Sequence, residues 1–251
     1  MKSHISKNSI IGEKTEFGVN CIIEDHVTIG AGCKLGHNVI IHSNVTIGAN
    51  VRIDDFTIIG KKPMFSPRSI FVPAKEWKPT TIGDNNQIGA NVVIYTQCKI
   101  GSQNMIADYV SIRENVTIGD LNIIGSKTYI ENHIQIGSRN KIESLVYVSA
   151  FSKIADYCFI APCVITSNDN YVGRDRERVN HFKGITMKEG ARIGVNSTIL
   201  PGVTLNKDCM VAAGSIVTCD IPENEIWLGA PALFFRMVPE AQKLKNNKDE
   251  P

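Results

Sequence analysis

A chain of 251 residues, 43% of them hydrophobic, holds enough apolar surface for a sizeable core, in one large domain or two small ones. Its formal net charge of +2 is too small for nucleic acid or a membrane surface to be the main partner. The opening MKSHISKNSI lacks the apolar core of a signal peptide, and no run approaches the roughly 18 apolar residues of a membrane span, so the expectation is a cytoplasmic protein.

In chain order, the first predicted elements are very short strands set by a six-residue beat. Apolar residues keep it from Ile5 to Ile59, again from Ile82 to Ile160, and from Met187 to Val217. Glycine often follows the beat, as at Gly12, Gly30 and Gly194, which suits tight bends. Six residues is too short for a helix-based repeat and predicts an all-β hexapeptide β-helix. Asn86, Asn104, Asn122 and Asn140 stand eighteen apart at one phase, as expected if three hexads make a coil and equivalent corners stack. Their amides can then form a ladder at the inter-strand spacing of about 4.8 Å. Of the seven cysteines, Cys21, Cys33, Cys98, Cys158 and Cys209 share that phase and read as small wall residues. Cys163 and Cys219 show no metal-ligand spacing.

Two stretches break the beat, 61–80 and 166–184. The first carries Lys61, Lys62, Arg68, Lys75 and Lys78 with Phe65, Phe71 and Trp77 interleaved. That mixture suits a pyrophosphate and a stacked base, or an arm packed on a neighbouring subunit. Beyond Ile221 the strands are expected to end. Residues 1–237 then form one β-helix domain, and 238–251 a short helix, VPEAQKLKN, followed by a disordered NNKDEP.

This all-hexad pattern resembles the left-handed parallel β-helix of the hexapeptide-repeat acyltransferases over about residues 5 to 220. The handedness, an exception to the right-handed crossover rule, comes from that likeness. FIAPCVITSNDNYVGR, GARIGVNSTILPGVTLNKDCMVAAGSIV, GKKP at 60–63 and SIREN at 111–115 are most similar to the members that acylate amino groups of nucleotide-linked deoxysugars, especially dTDP-3-amino-3,6-dideoxyhexoses. The resemblance implies a homotrimer with active sites in clefts between subunits, enclosed by the inserted loops. It further implies acetyl-CoA as co-substrate, no metal, and a place in the assembly of a bacterial surface glycan.

Many sugar O-acetyltransferases of this family carry a histidine base where this chain reads SNDNYVG. An amine needs orientation more than deprotonation, and an Asn carbonyl or a carboxylate can hold it by accepting its N–H groups. The expected catalytic residues are therefore Asn168 and Asp169, with Glu143, one coil below Ala161, as a further candidate or a solvated glutamate. Asn170, Tyr171, Arg174, Arg113, Lys61, Lys62 and Trp77 are the substrate-binding candidates. For coenzyme A, IWLGAPALFFR resembles the family segment along which the pantetheine arm lies. Gly194, Ala212, Ala213, Gly214, Gly229, Ala230 and Pro231 would leave the backbone accessible, and Arg236 would meet a phosphate. Leu233 stands where the family often has a base.

Three other readings remain. His181 or His133 could serve an O-acyltransferase as base. His37 and His42 in GHNVIIH copy the gap between two zinc ligands of the γ-class carbonic anhydrases, without a third histidine at a convincing spacing. A non-catalytic scaffold would keep the repeat and bind no coenzyme A.

Overall fold

The structure is a computed structural model that describes residues 3–67 and 76–248; Arg68, Phe71, Lys75 and the last three residues lie outside that range. The chain divides into two compact units, Met1–Lys127 and Thr128–Pro251. In both, strands of mostly two residues recur every six and build three parallel ladders, here called the first, second and third faces after the strands His4–Ile5, Ile10–Ile11 and Glu16–Phe17.

Register in the first unit follows the eighteen-residue coil: Ile22 pairs with Ile40, Thr28 with Thr46 and Lys34 with Arg52. Across the first insertion Val45 pairs with Thr80, 35 residues on instead of eighteen, so seventeen extra residues leave and return without slipping the ladder. In the second unit Lys153 pairs with Thr186, an offset of 33 that accommodates fifteen extra residues in the same way. Loop closure grows only slowly in cost with length, which is why both excursions are tolerated.

Side chains alternate across a strand, so the beat residue and the one two before it face inward together. The beat fills the core: Ile23, Ile29, Ile41, Ile94 and Ile112 are fully buried, each contributing about 1.5–3 kcal/mol. The second inward position is small and lies against the corner, and there the expected ladder forms. Backbone N and Nδ2 of Asn104 both donate to Asn86 Oδ1, at 2.8 and 3.1 Å, and those of Asn122 to Asn104 Oδ1, at 2.9 and 3.0 Å. Cysteine takes the same part elsewhere. Asn86 Nδ2 donates to the Gly101 carbonyl and Cys33 Sγ to that of Gly48, each fifteen residues on. Burial pushes the thiols of Cys98, Cys158 and Cys209 up to about 12, as inert wall residues require.

The glycine after the beat has a different role from the bend expected of it. Positive φ falls three residues after the beat, on Asn20, Asn38, Asn50, Asn85 and Asn91 among others, where asparagine tolerates the left-handed region. The glycines instead admit the next coil. A Cβ on Gly12 would lie 2.4 Å from Ala31 N, and one on Gly30 would lie 2.5 Å from the Gly48 carbonyl carbon.

Strands do not end at Ile221. Glu225–Gly229 pairs in parallel with Met210–Val211 and antiparallel with Ala232–Met237. The helix expected after it takes the form of two 3₁₀ turns, Glu240–Gln242 and Leu244–Asn246, separated by an extended Lys243. Nine residues are too few to hold an α-helix unaided. Side-chain amides of Asn246 and Asn247 take the carbonyls of Glu240 and Ala241 instead. The start of the expected disordered tail is also placed, since Lys248 pairs with Glu189 at 3.0 Å. Among the described residues no helix is long and apolar enough to cross a membrane.

Candidate functional site

The second insertion begins where the wall turns polar. Thr166 still holds the beat position and is buried, but its hydroxyl accepts from Ser149 N at 2.8 Å and bonds Ser149 Oγ at 2.9 Å. The returning end is fixed beside it. Ile185 N donates to Ser152 Oγ at 3.2 Å, and Gly184 packs so closely that a Cβ would lie 2.3 Å from Ser152 N. Lys183 N donates to the Asn168 carbonyl at 3.1 Å and closes the neck of the loop.

Inside this loop Asp169 is the hub. Its carboxylate accepts from Tyr171 N at 2.8 Å, from Gly173 N at 3.1 Å and from Arg178 Nη1 at 2.9 Å. Burial alone would raise its pKa, but those two N–H groups and the Arg178 guanidinium outweigh it and hold the carboxyl below the usual range. Because the folded pKa is lowered, the loop's stabilisation by Asp169 is present above the ordinary aspartate value of about 4 and is lost as pH falls through the lowered one. The amide resonances of Tyr171 and Gly173 should therefore hold steady down to about pH 4 and shift together below it.

Asn168 differs from its neighbour. It is half-buried, and among the described residues its side-chain amide makes no hydrogen bond within the chain. Asn170, Tyr171 and Arg174 are exposed, and the Tyr171 ring tilts against His181 with centroids 5.5 Å apart. Glu143 does stack one coil below Ala161, its N donating to the Ile160 carbonyl at 2.8 Å. It stands, however, at the corner where the chain enters the first face, whereas Asn168 follows the corner where the chain leaves it, and its carboxylate pairs with Lys141 at 3.2 Å. Neither runner-up histidine is held by a carboxylate among the described residues: His133 stacks flat on Phe151 at 5.3 Å, and His181 is exposed at the end of the 3₁₀ turn Arg176–His181.

Among the coenzyme A candidates the structure separates two roles. A Cβ on Gly194 would lie 2.6 Å from Ala213 N, so its smallness serves the coil stacked on it. Gly214, at φ +69, has nothing within 4 Å of a Cβ and is open, with exposed Ala213 beside it and half-buried Ala212 before that. Ser215 Oγ donates to the Ala212 carbonyl at 2.7 Å and accepts from Gly229 N at 3.2 Å, fixing the hairpin beside this strip. Exposed Ala230 and Pro231 form its turn, and the Arg236 guanidinium lies 5.8 Å from the Phe235 ring. An open backbone flanked by small side chains fits a pantetheine arm.

The first insertion builds a cleft of about 490 Å³ in the first unit, lined by Lys61, Lys62, Trp77, Lys78, His42 and Glu24 among others. Arg113 joins Lys61 around a residue that the sequence reading missed: Lys61 Nζ and Arg113 Cζ each lie 4.9 Å from the centre of the Tyr95 ring. Arg113 also meets buried Glu114 at 2.9 Å. His37 and His42 do not converge. His37 Nδ1 accepts from Val19 N at 2.9 Å, and His42 Nδ1 faces Glu24 Oε1 at 2.9 Å. Among the described residues no three His, Cys, Asp or Glu side chains gather in a way that could hold a metal ion.

The family profile for the bacterial transferase hexapeptide (six repeats) matches residues 20–55, 79–110 and 98–132, and that for the hexapeptide repeat of succinyl-transferase matches 189–219. The matched stretches carry hexapeptide repeats of the kind those profiles describe. The second insertion, and all but the last two residues of the first, fall between the matched stretches. The chain is 38% identical over 61 residues to a 2,3,4,5-tetrahydropyridine-2,6-dicarboxylate N-acetyltransferase of Staphylococcus aureus, 24% of this chain and 26% of that protein. It is likewise 38% identical over 73 residues to γ carbonic anhydrase 2, mitochondrial, of Arabidopsis thaliana, 27% of this chain and 26% of that protein. The aligned stretches thus span about a quarter of these curated relatives, three or four coils each, and speak for the repeat. The crystal structure of LpxA, a UDP-N-acetylglucosamine acyltransferase from Bacteroides fragilis, is 20% identical with a TM-score of 0.52, covering 94% of this chain and 72% of that one. That likeness is one of fold, the left-handed parallel β-helix.

Proposed function

We propose that the chain is an acyltransferase that moves the acetyl group of acetyl-CoA to the amine of a nucleotide-linked 3-amino-3,6-dideoxyhexose, with dTDP as the nucleotide, in the bacterial cytoplasm and for surface glycan assembly. The observation that carries this reading is the second insertion. The Asp169 carboxylate is spent on ordering the loop, while the adjoining Asn168 amide is left with its bonding capacity, and the loop's one histidine, His181, rests against the Tyr171 ring with no carboxylate to hold it among the described residues. Such a place orients a nucleophile and does not deprotonate one. A sugar amine with a pKa near 8 is about one-tenth neutral at pH 7 and is already nucleophilic. Its nitrogen forms the bond to the thioester carbonyl carbon, the carbon–sulfur bond breaks, and the proton shed by nitrogen passes to the departing thiolate or to water.

In this proposal Asn168 accepts an N–H of the amine through its Oδ1, and Tyr171, Asn170 and Arg174 face the sugar. Backbone around Ala213, Gly214 and Gly229 lies along the donor, with Arg236 toward its phosphates. Subunits associate as a homotrimer through the first face, whose outward residues are mostly apolar, Ile22, Ile40, Ile58 and Val93 in the first unit and Tyr129, Ile165 and Ile216 in the second, interrupted by His4, Ser111 and Thr198. The second face instead shows Thr28, Thr46, Thr81 and Thr117. The apolar stripe is what a second copy would cover.

A panel of amino- and hydroxy-sugar nucleotides incubated with acetyl-CoA tests the reading, with product mass as readout. Addition of one acetyl group to the amino sugars alone is expected. Acetylation of a hydroxy sugar at equal rate would turn the assignment to O-acyl transfer.

A further inference from the structure

Thr166 is the one polar residue on the six-residue beat, whose other members from Ile5 to Val217 are all apolar. Its hydroxyl opens the ladder at the coil from which the second insertion leaves. Tyr147–Val148 pairs with Ile165 alone, whereas two pairs form on either side: Tyr129 with Tyr147 and Ile130 with Val148 below, Ile165 with Thr198 and Thr166 with Ile199 above. Glu131 N donates to the Val148 carbonyl at 3.0 Å and Ser167 N to that of Ile199 at 3.1 Å. Ser149 N, between them, donates to the Thr166 hydroxyl at 2.8 Å and passes over the Thr166 carbonyl that the ladder would use. An isoleucine at this position would fill the core and keep the ladder; what it could not make is the ring that the hydroxyl starts.

Thr166 Oγ1 also donates to Ser149 Oγ at 2.9 Å, so Ser149 is gripped at two points. The Ser149 carbonyl accepts from Ser152 Oγ at 2.7 Å, and Ser152 Oγ in turn accepts from Ile185 N at 3.2 Å. Two residues before Ile185, Lys183 N donates to the Asn168 carbonyl at 3.1 Å, and Asn168 stands two residues after Thr166. The bonds therefore run from the departing strand through the two serines to the returning strand, and back across the neck of the loop to Asn168. All three hydroxyls are buried, where water does not compete for them. We propose that Thr166 is a positioning residue for acyl transfer: the ring it closes holds Asn168 from both sides of the neck, so that its amide meets the acceptor amine in one orientation. Thr166, Ser149 and Ser152 themselves touch no substrate. The proposal rests on the amine acyl-transfer reading, in which Asn168 accepts an amine N–H.

Steady-state kinetics on the full chain with acetyl-CoA and a dTDP-linked 3-amino-3,6-dideoxyhexose test it, beside thermal melting and hydrogen exchange of the Lys183 amide. In Thr166→Val, Ser149 N can return to the main-chain carbonyl at 166, so the coils should melt within a few degrees of the parent while the ring is open. Its kcat should fall about fivefold at unchanged KM for acetyl-CoA. The Lys183 N–H should exchange about tenfold faster. Thr166→Ser keeps the hydroxyl and should restore most of both. A double variant decides whether the effect passes through Asn168: Thr166→Val should add nothing to Asn168→Ala, because the amide it orients is gone. Losses that multiply in the double variant, or the parent kcat in Thr166→Val, overturn the proposal. So does a Thr166→Ser as slow as Thr166→Val, which marks a position that tolerates no change of shape. A parent that acetylates no amine, with Lys183 exchange still quickened in Thr166→Val, overturns the acyl-transfer reading and the catalytic role with it, but leaves the ring as the anchor of the loop.

Discussion

Alanine at Asp169 should lower kcat/KM for acetyl transfer about a hundredfold while the coils melt where they did before. The carboxylate ties together two backbone N–H groups and a guanidinium within one loop, so its removal frees Tyr171, Gly173 and Arg178 at once and displaces the groups proposed to face the sugar. A displacement of about 1 Å costs that much when positioning is the main contribution. Asp169→Asn keeps a carbonyl acceptor for Tyr171 N but loses the ion pair with Arg178, and should fall between the two. Asn168→Ala acts otherwise: it removes one acceptor without loosening the loop, so turnover should drop about tenfold with the insertion as resistant to protease as in the parent. Limited proteolysis beside steady-state kinetics separates these cases. A loop opened by Asp169→Ala that still turns over at the parent rate would place the second insertion outside the active site.

How much of this was legible in the sequence follows from where the period rules. Inside the coils, position along the chain fixes position in space, so the beat identified the core and the eighteen-residue spacing identified the Asn ladder and the inward cysteines. The same rule reaches some of what was missed. Glu24 and His42 are eighteen apart, so an acid–histidine pair at one-coil offset could have been sought. Tyr95 is different, since it meets Lys61 at an offset enlarged by the insertion, and Arg113 at the ordinary one. Within the insertions no period applies. Asp169 and Arg178 are nine apart in a loop whose course depends on backbone N–H groups, and the sequence carries no mark that Asp169 would be consumed by its own loop. The glycine after the beat misled for a simpler reason: a residue without Cβ serves a bend and a close approach equally well, and only coordinates tell which.

The ladder carries the second large expectation. Asn104→Ala should destabilise the first unit by about 2–4 kcal/mol, read as a Tm lower by about 5–15 °C. Asn104 Oδ1 is the shared acceptor of Asn122 N and Nδ2, and all three asparagines are at most 1% exposed, so its loss takes the side-chain acceptor from the Asn122 backbone N–H where water does not reach. A stranded group costs about 1–3 kcal/mol, far more than the bond itself contributes on folding. Asn104→Cys is the informative companion. Asn104 Nδ2 donates to Asn86 Oδ1, whereas a thiol at the equivalent corner, Cys33, donates to the carbonyl fifteen residues on at 3.2 Å, so cysteine should supply its own donor contact and part of the packing while leaving the acceptor for Asn122 unmade. The order of melting temperatures should therefore be parent, Cys, Ala. Equal values for Cys and Ala would mean that the corner carbonyls need no donor from the side chain, and that the column is held by burial of the neighbouring isoleucines alone.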